Sequence, residues 1–92
     1  MIVDLSGQAK AELASALAYL RQESPEAADR IGAAIKRTID TLVDLPNRGR
    51  HGRIEGTREL VVRGAPYVVV YSVRQDTVIV LSVRRTSRGN AP

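Results

Sequence analysis

The chain has 92 residues and a formal net charge of +4, with no cysteine and with three tyrosines as its only aromatic residues. A chain of this length forms one domain, residues 1–92, around a modest aliphatic core. The lack of cysteine excludes disulfides, thiolate metal sites and cysteine nucleophiles, and a single histidine excludes a His/Cys zinc site. We expect no metal and no cofactor.

The charge is divided unequally between the two halves. Residues 1–46 carry five basic and seven acidic side chains, whereas residues 47–92 carry nine arginines and three acids. Arginine grips phosphates and carboxylates through a planar fork, so the basic half indicates an anionic partner. Arginine-favouring codon usage with an ordinary solvated surface is the alternative explanation. No secretory signal and no apolar run of about 20 residues is visible, which predicts a cytoplasmic protein without a membrane partner.

A short strand at Ile2-Val3 opens the predicted fold, and an amphipathic helix follows it. Ser6 is suited to cap this helix, because its side chain can accept a hydrogen bond from the first turn. The apolar stripe recurs at helical spacing as far as Leu20, and the helix is expected to end near Glu23.

A second helix begins at Ser24-Pro25-Glu26. This triplet combines a capping serine, a proline at the first helical position and an acid in the first turn. The second apolar stripe runs from Ala28 to Val43 and ends before Pro46, which disfavours helix at the preceding residue. Two helices with so short a link form an antiparallel hairpin.

The basic half is predicted to form strands. The segments are residues 53–55, 57–63, 67–73 and 77–83. The second alternates like a half-buried strand, while the last two are apolar on both faces and therefore central. Tight turns join strands antiparallel. The predicted class is α+β, with two layers: an N-terminal strand and an antiparallel helical hairpin packed on an antiparallel sheet of four to five strands. Its open face would carry arginines and tyrosines, and the tail is expected to fray after Arg88.

Few catalytic arrangements fit these residues. His51 stands between Arg50 and Gly52 with no orienting partner, so a solvated loop histidine is favoured over a catalytic base. Arginines and tyrosines on one sheet face would be able to stabilise a pentavalent phosphate while RNA cleaves itself in line. Tyr67 and Tyr71 share one face of their strand, and core packing is the alternative role for both.

Five matched segments, in this order and spacing, resemble the RelE/ParE toxins of type II toxin–antitoxin modules. They are Leu45-Pro46, Gly49-Arg50, Gly56-Thr57-Arg58-Glu59-Leu60, Pro66-Tyr67 and Val70-Tyr71. The resemblance covers the whole chain and extends to the order of its elements, so it implies a single RelE/ParE-like toxin domain.

The resemblance implies a bacterial growth-inhibiting toxin, of the kind associated with plasmid stabilisation. A cognate antitoxin is expected to wrap it in a hetero-oligomer. Three activities stay open: ParE-like inhibition of DNA gyrase, RelE-like cleavage of mRNA on the ribosome without a metal, or antitoxin binding alone. Many RelE-like nucleases carry His or Tyr just after the last strand, where this chain has Arg84-Arg85, and this departure favours gyrase. Whether the chain is an enzyme is left open.

The resemblance and the charge pattern together nominate three sets of site residues. For a nuclease, the catalytic set is Arg58, Arg63, Arg84, Arg85 and Tyr71. The target- or anion-binding set is Arg48, Arg50, Arg53 and Arg88. The antitoxin-binding set on the helical hairpin is Leu13, Leu17, Leu20, Ile31 and Ile35.

Overall fold

A helical hairpin packs on one face of a five-stranded sheet in the computed structural model, which describes residues 1–86. The elements are β1 (Ile2–Leu5), α1 (Gly7–Glu23), α2 (Pro25–Asp40), a 3₁₀ turn (Thr41–Val43), β2 (Arg50–His51), β3 (Arg58–Val61), β4 (Tyr67–Arg74) and β5 (Thr77–Arg85). The predicted two-layer α+β class is confirmed. None of the described helices is long and apolar enough to cross a membrane.

Two serines set the ends of the helices. The Ser6 hydroxyl accepts from the Ala9 N–H at 3.0 Å and donates to the Leu81 carbonyl at 3.1 Å, which ties the start of α1 to β5. The Ser24 N–H donates to the Leu20 carbonyl at 2.7 Å and closes α1, while its side chain caps α2. Both predicted helix starts are confirmed.

The strand order is β1-β5-β4-β3-β2, and the sheet is mixed. Strands β2 to β5 form the predicted antiparallel meander, but β1 pairs parallel with β5 from Ile2↔Thr77 to Leu5↔Val80. The prediction of an antiparallel sheet is therefore wrong at this edge. Tight turns dictate the direction of β5, whereas a helical hairpin and three further strands separate it from β1, so no local signal relates their directions.

Two strand boundaries differ from the prediction at the other edge. The first short strand is Arg50–His51 rather than residues 53–55, which lie in a bend and turn. Strand β3 stops at Val61, because the buried Val62 donates its N–H to the Tyr67 carbonyl at 2.9 Å across the turn to β4. Arg63 thus lies exposed in this turn rather than in a strand.

The last strand is longer than predicted. Strand β5 continues through Arg84 and Arg85, which pair opposite Val68 and Tyr67 of β4. These arginines are strand residues held by the sheet, not members of a tail. The fraying expected beyond Arg88 falls outside the described residues.

The core lies between the hairpin and the sheet. Its largest fully buried side chains are Tyr71, Ile35, Leu42, Val62, Val69, Val78 and Val80. Helix α2 supplies more of it than α1, from which only Ala9 is fully buried. Tyr67 and Tyr71 belong to this cluster, so the prediction that tyrosines share the open face with the arginines is wrong. Both occupy core positions, because alternation along β4 turns them towards the helices.

Candidate functional site

A buried hydrogen bond fastens the loop before β2 to the centre of the sheet. The Gly49 N–H donates to the Tyr71 hydroxyl at 2.8 Å. A β-carbon on Gly49 would lie 2.8 Å from that hydroxyl and 2.9 Å from the Glu59 carbonyl oxygen, so only glycine fits this close approach. The Tyr71 hydroxyl is thereby engaged with the backbone.

Arg58 holds the same loop from the neighbouring strand. Its guanidinium donates to the carbonyls of Gly49 at 2.6 Å and Asn47 at 3.2 Å. This arrangement is that of a loop anchor, since the guanidinium is directed at carbonyl oxygens rather than at solvent. A catalytic role for Arg58 or Tyr71 stays a prediction.

Four arginines line a surface on the sheet face away from the helices: alternation directs Arg50 and Arg84 onto this face, and Arg85, the partner of Tyr67, lines it at the end of β5. We call this surface the sheet-face groove, of about 280 Å³; it is lined by Arg50, Arg53, Glu59, Val61, Val68, Arg84, Arg85 and Thr86. The sheet brings the two ends of the basic half together, because β2 and β5 both run alongside the β3–β4 hairpin. Four of the nominated arginines meet here: Arg50 and Arg53 from the anion-binding set, and Arg84 and Arg85 from the catalytic set.

One acid lies in the described lining of this groove. The Glu59 side chain is only 10% exposed and lies 3.4 Å from the Arg50 guanidinium, whose side chain is 73% exposed. Arg50 and Glu59 are direct partners in the β2–β3 register. The pair fixes the position of Arg50 and reduces the net formal charge of the groove lining from +4 to +3.

Helix α1 holds the far end of the groove through Glu12. Strand β1 pairs with β5 only as far as Leu5↔Val80, so no described strand covers the outer edge of β5 after that residue. At this edge the Glu12 carboxylate accepts hydrogen bonds from the Ser82 hydroxyl at 2.7 Å and the Val83 N–H at 3.0 Å. Burial raises the pKa of Glu12, but these hydrogen bonds, one from Gln8 and the nearby charge of Arg84 outweigh burial and leave the pKa below its usual value.

A second basic groove lies on the other side of β3. We call it the helix–strand groove, of about 300 Å³; it is lined by Ala34, Arg37, Thr38, Thr41, Arg48, Leu60, Val61 and Arg63. Three arginines and two threonines line it together with Ala34, Leu60 and Val61, and its lining within residues 1–86 contains no acid. The structure thus separates Arg48 and Arg63 from the other nominated arginines.

The edge of β3 between the two grooves is open. Strand β2 pairs only with Arg58 and Glu59, so no described strand covers the outer side of Leu60 and Val61. Val61 is 57% exposed and lines both grooves. An open edge with an apolar side chain is a template for an added strand.

The apolar residues nominated on the hairpin are largely used by the core. Ile31 and Ile35 are buried, Leu13 and Leu20 are half-buried against the core, and Leu17 packs towards Gly32 between the helices. A partner would therefore contact the rims of this stripe rather than its centre, and an antitoxin contact by these five residues stays a prediction.

His51 is exposed and follows Arg50 in β2, so alternation directs it away from Glu59. Arg88 lies outside the described residues.

Sequence reasoning did not single out Arg37, Glu12 or Glu59. Of these three, only Glu59 could have been found from the sequence, because it is one of the few acids in the arginine-rich half.

The sequence profile of the ParE toxin of type II toxin–antitoxin systems, parDE, matches residues 3–89. The chain belongs to the ParE toxin family. Toxin RelE2 of Caulobacter vibrioides, 37% identical over 81 residues, supports the same RelE/ParE membership; the match covers 88% of this ParE-family chain and 90% of RelE2.

Two further likenesses agree with this family. The protein Y4kP of Sinorhizobium fredii is 42% identical over 62 residues, a match that covers 67% of this ParE-family chain but only 65% of Y4kP, just under two thirds. A structure of the chromosomal ParDE system from Pseudomonas aeruginosa superposes with a TM-score of 0.86 over 95% of this chain and 97% of that one. At 21% identity, this last match establishes the fold alone.

Proposed function

We propose that this chain arrests bacterial growth in the cytoplasm by binding DNA gyrase through the sheet-face groove, without cutting nucleic acid itself. A cognate antitoxin neutralises it by docking at the helix–strand groove and the open edge of β3. Membership of the ParE family supports the toxin role, and the geometry of the sheet-face groove supports binding over cleavage.

The observation that carries this proposal is the composition of the groove. Self-cleavage of RNA is accelerated when a base takes the proton of the 2′-hydroxyl and an acid protonates the leaving oxygen. The groove lining, within residues 1–86, offers four charged guanidiniums and the ion-paired Glu59. Tyr67 and Tyr71 are buried on the opposite face, and His51 points away from Glu59. Such a surface stabilises negative charge but is poorly equipped to move protons.

The helix–strand groove suits an extended antitoxin segment. A peptide added beside Leu60 and Val61 gains backbone hydrogen bonds from the strand and specificity from side-chain pockets. The arginines at positions 37, 48 and 63 favour acidic side chains in that segment, and Leu60 and Ala34 favour small apolar ones. Because Val61 belongs to both grooves, a segment bound here would also obstruct the sheet-face groove.

A supercoiling assay with purified gyrase tests the proposal. The toxin, freed from antitoxin, is expected to inhibit supercoiling in proportion to its concentration, and Arg84→Gln/Arg85→Gln is expected to lose roughly tenfold in potency, as befits two lost charge contacts. Arg30→Gln/Lys10→Gln is the matched control, since it removes the same charge from exposed positions outside both grooves. Gyrase that keeps its full activity at every stoichiometry would refute the target.

The arginines of the sheet face also favour a second candidate, ribosome-dependent mRNA cleavage. Transcripts from a reconstituted translation system, mapped by primer extension, separate the two. Cuts within codons that disappear in Arg84→Gln/Arg85→Gln would replace the gyrase proposal, whereas intact transcripts together with inhibited gyrase would support it. Growth unaffected by induced toxin would instead indicate a chain that only binds antitoxin.

A further inference from the structure

We propose that the sheet-face groove binds the phosphodiester backbone of a nucleic acid directly, without recognising its bases. The inference rests on the proposed function, because gyrase holds DNA and a toxin seated on it would meet both protein and DNA. It goes further by assigning the ligand of the arginines themselves.

The arginines are spread across the sheet rather than gathered at one point. Arg50 lies in β2 and Arg84 and Arg85 lie in β5, three strand spacings apart, which is about 14 Å across the sheet. A nucleic-acid strand carries about one charge per 3.4 Å of axis. A strand that crosses β3 and β4 would therefore bring phosphates about four nucleotides apart to the two ends of the groove. A single small anion would engage only one end.

Three of the four guanidiniums are available for such contacts. Arg53, Arg84 and Arg85 form no ion pair within residues 1–86, whereas Arg50 is paired with Glu59. The guanidinium fork matches two phosphate oxygens at once. The buried Glu59 carboxylate repels an anion from the floor, so the backbone would be held at the rim by the exposed arginines.

The rest of the lining argues against base recognition and against an extended peptide strand as the ligand. Sequence-tolerant binding of unpaired bases normally uses aromatic side chains for stacking, and base readout uses amides or arginines aimed into a groove of the nucleic acid. The described lining contains neither aromatic nor amide side chains, and its apolar part is limited to Val61 and Val68. Its arginines are spread across a sheet face rather than carried on one element that enters a groove of the nucleic acid. The helix–strand groove, with its open strand edge, is the better peptide site. We therefore expect affinity that is insensitive to sequence and sensitive to salt.

Fluorescence anisotropy tests the inference with purified toxin and labelled duplex DNA, single-stranded DNA and single-stranded RNA. Binding is expected, and three phosphate contacts predict a loss of about 40-fold in duplex affinity between 50 and 200 mM salt. Arg84→Gln/Arg85→Gln is expected to lose roughly tenfold, against less than about twofold for Arg30→Gln/Lys10→Gln. The most tightly bound probe distinguishes gyrase-held DNA from ribosomal mRNA as the source.

A variant that binds nucleic acid more tightly separates the proposed contacts from misfolding, which would only weaken binding. Glu59→Gln removes the only acid of the groove lining within residues 1–86 and is expected to tighten binding roughly threefold, a change that an unfolded chain would not mimic. Equal losses in both double variants, or displacement of DNA by polyglutamate of equal charge as effectively as by unlabelled DNA, would overturn the inference.

The two proposals fail separately. Gyrase inhibition without measurable nucleic-acid binding would overturn this inference and leave the proposed function standing. Binding to RNA alone, without gyrase inhibition, would support phosphodiester binding and refute the gyrase target.

Discussion

The helix–strand groove and the sheet-face groove meet at Val61 and contain seven arginines between them, three in the first and four in the second. In the first, the arginines come from α2 and from loops, and they surround a slot beside an open strand edge. In the second, they come mainly from strands, lie across the sheet and include one ion pair. We therefore propose two uses for similar charge, because the backbone beneath it differs: an extended peptide suits one groove and a charged polymer backbone suits the other.

The largest expected effect comes from breaking the loop that joins the two grooves. Gly49 lies between Arg48, of the helix–strand groove, and Arg50, of the sheet-face groove. In Gly49→Ala the new methyl group would meet the Tyr71 hydroxyl at 2.8 Å, and we expect a loss of about 3 kcal/mol in the free energy of unfolding. Urea denaturation followed by circular dichroism measures it.

Gly7→Ala is the matched control, since a β-carbon there meets nothing within 4 Å and alanine favours helix. Its stability should equal or slightly exceed that of the wild type. Indistinguishable unfolding midpoints for the two variants would show that the loop is not clamped as described.

Two double variants test whether the two grooves are separate binding surfaces. Arg37→Gln/Arg63→Gln is expected to weaken binding of the antitoxin of the same module by roughly 30-fold, because two desolvated charge contacts are lost. Arg84→Gln/Arg85→Gln should weaken it by less than about threefold, as those side chains lie across Val61 from the proposed strand. Titration calorimetry supplies both affinities. Similar losses would mean that the antitoxin covers both grooves as one continuous surface.

The hydrogen bonds from Ser82 and Val83 to Glu12 predict how the free energy of unfolding depends on pH. Because the pKa of Glu12 is lowered in the folded state, its stabilising contribution is present above the ordinary value near 4.5 and is lost as pH falls through the folded-state pKa. Glu12→Gln should therefore cost about 1–2 kcal/mol at neutral pH, and the deficit should shrink under acid conditions.

Unfolding curves collected across the acid range, with Glu55→Gln at an exposed turn as the control, measure this effect. A deficit for Glu12→Gln that stays constant with pH would contradict the assigned role. The result bears on the comparison of the grooves, because Glu12 positions the strand end that carries Arg84 and Arg85.

The smallest expected effect lies at the opposite end of the sheet, away from both grooves. Gln75 adopts a φ of +57° in the turn between β4 and β5, a conformation that favours glycine. Gln75→Gly should raise stability by about 0.5 kcal/mol in thermal or urea unfolding and leave both binding activities unchanged. Asp76→Gly should instead lower it slightly, since φ at that residue is not positive. A stability loss at position 75 would contradict the strain inferred there.

The elements of this fold were largely predictable, whereas their boundaries at the sheet edges were not. Capping serines and helical spacing located both helices, because these signals act within one or two turns. Strands β4 and β5 were evident from their valines. Strand β2 was displaced, β3 ended early and β5 ran longer, because those ends depend on pairing partners that are distant in the chain.

For the site, the sequence by itself determined that the second half is strongly basic and that the family is RelE/ParE, while an anionic partner for its arginines stays a prediction. Only the tertiary structure decided which arginines meet. It sorted them into two grooves, directed Arg58 at loop carbonyls, turned Tyr71 into the core and placed Glu59 beside Arg50. Composition and short-range periodicity depend only on residues that are close in sequence. These contacts depend instead on strand register and loop closure, which bring together residues far apart in sequence.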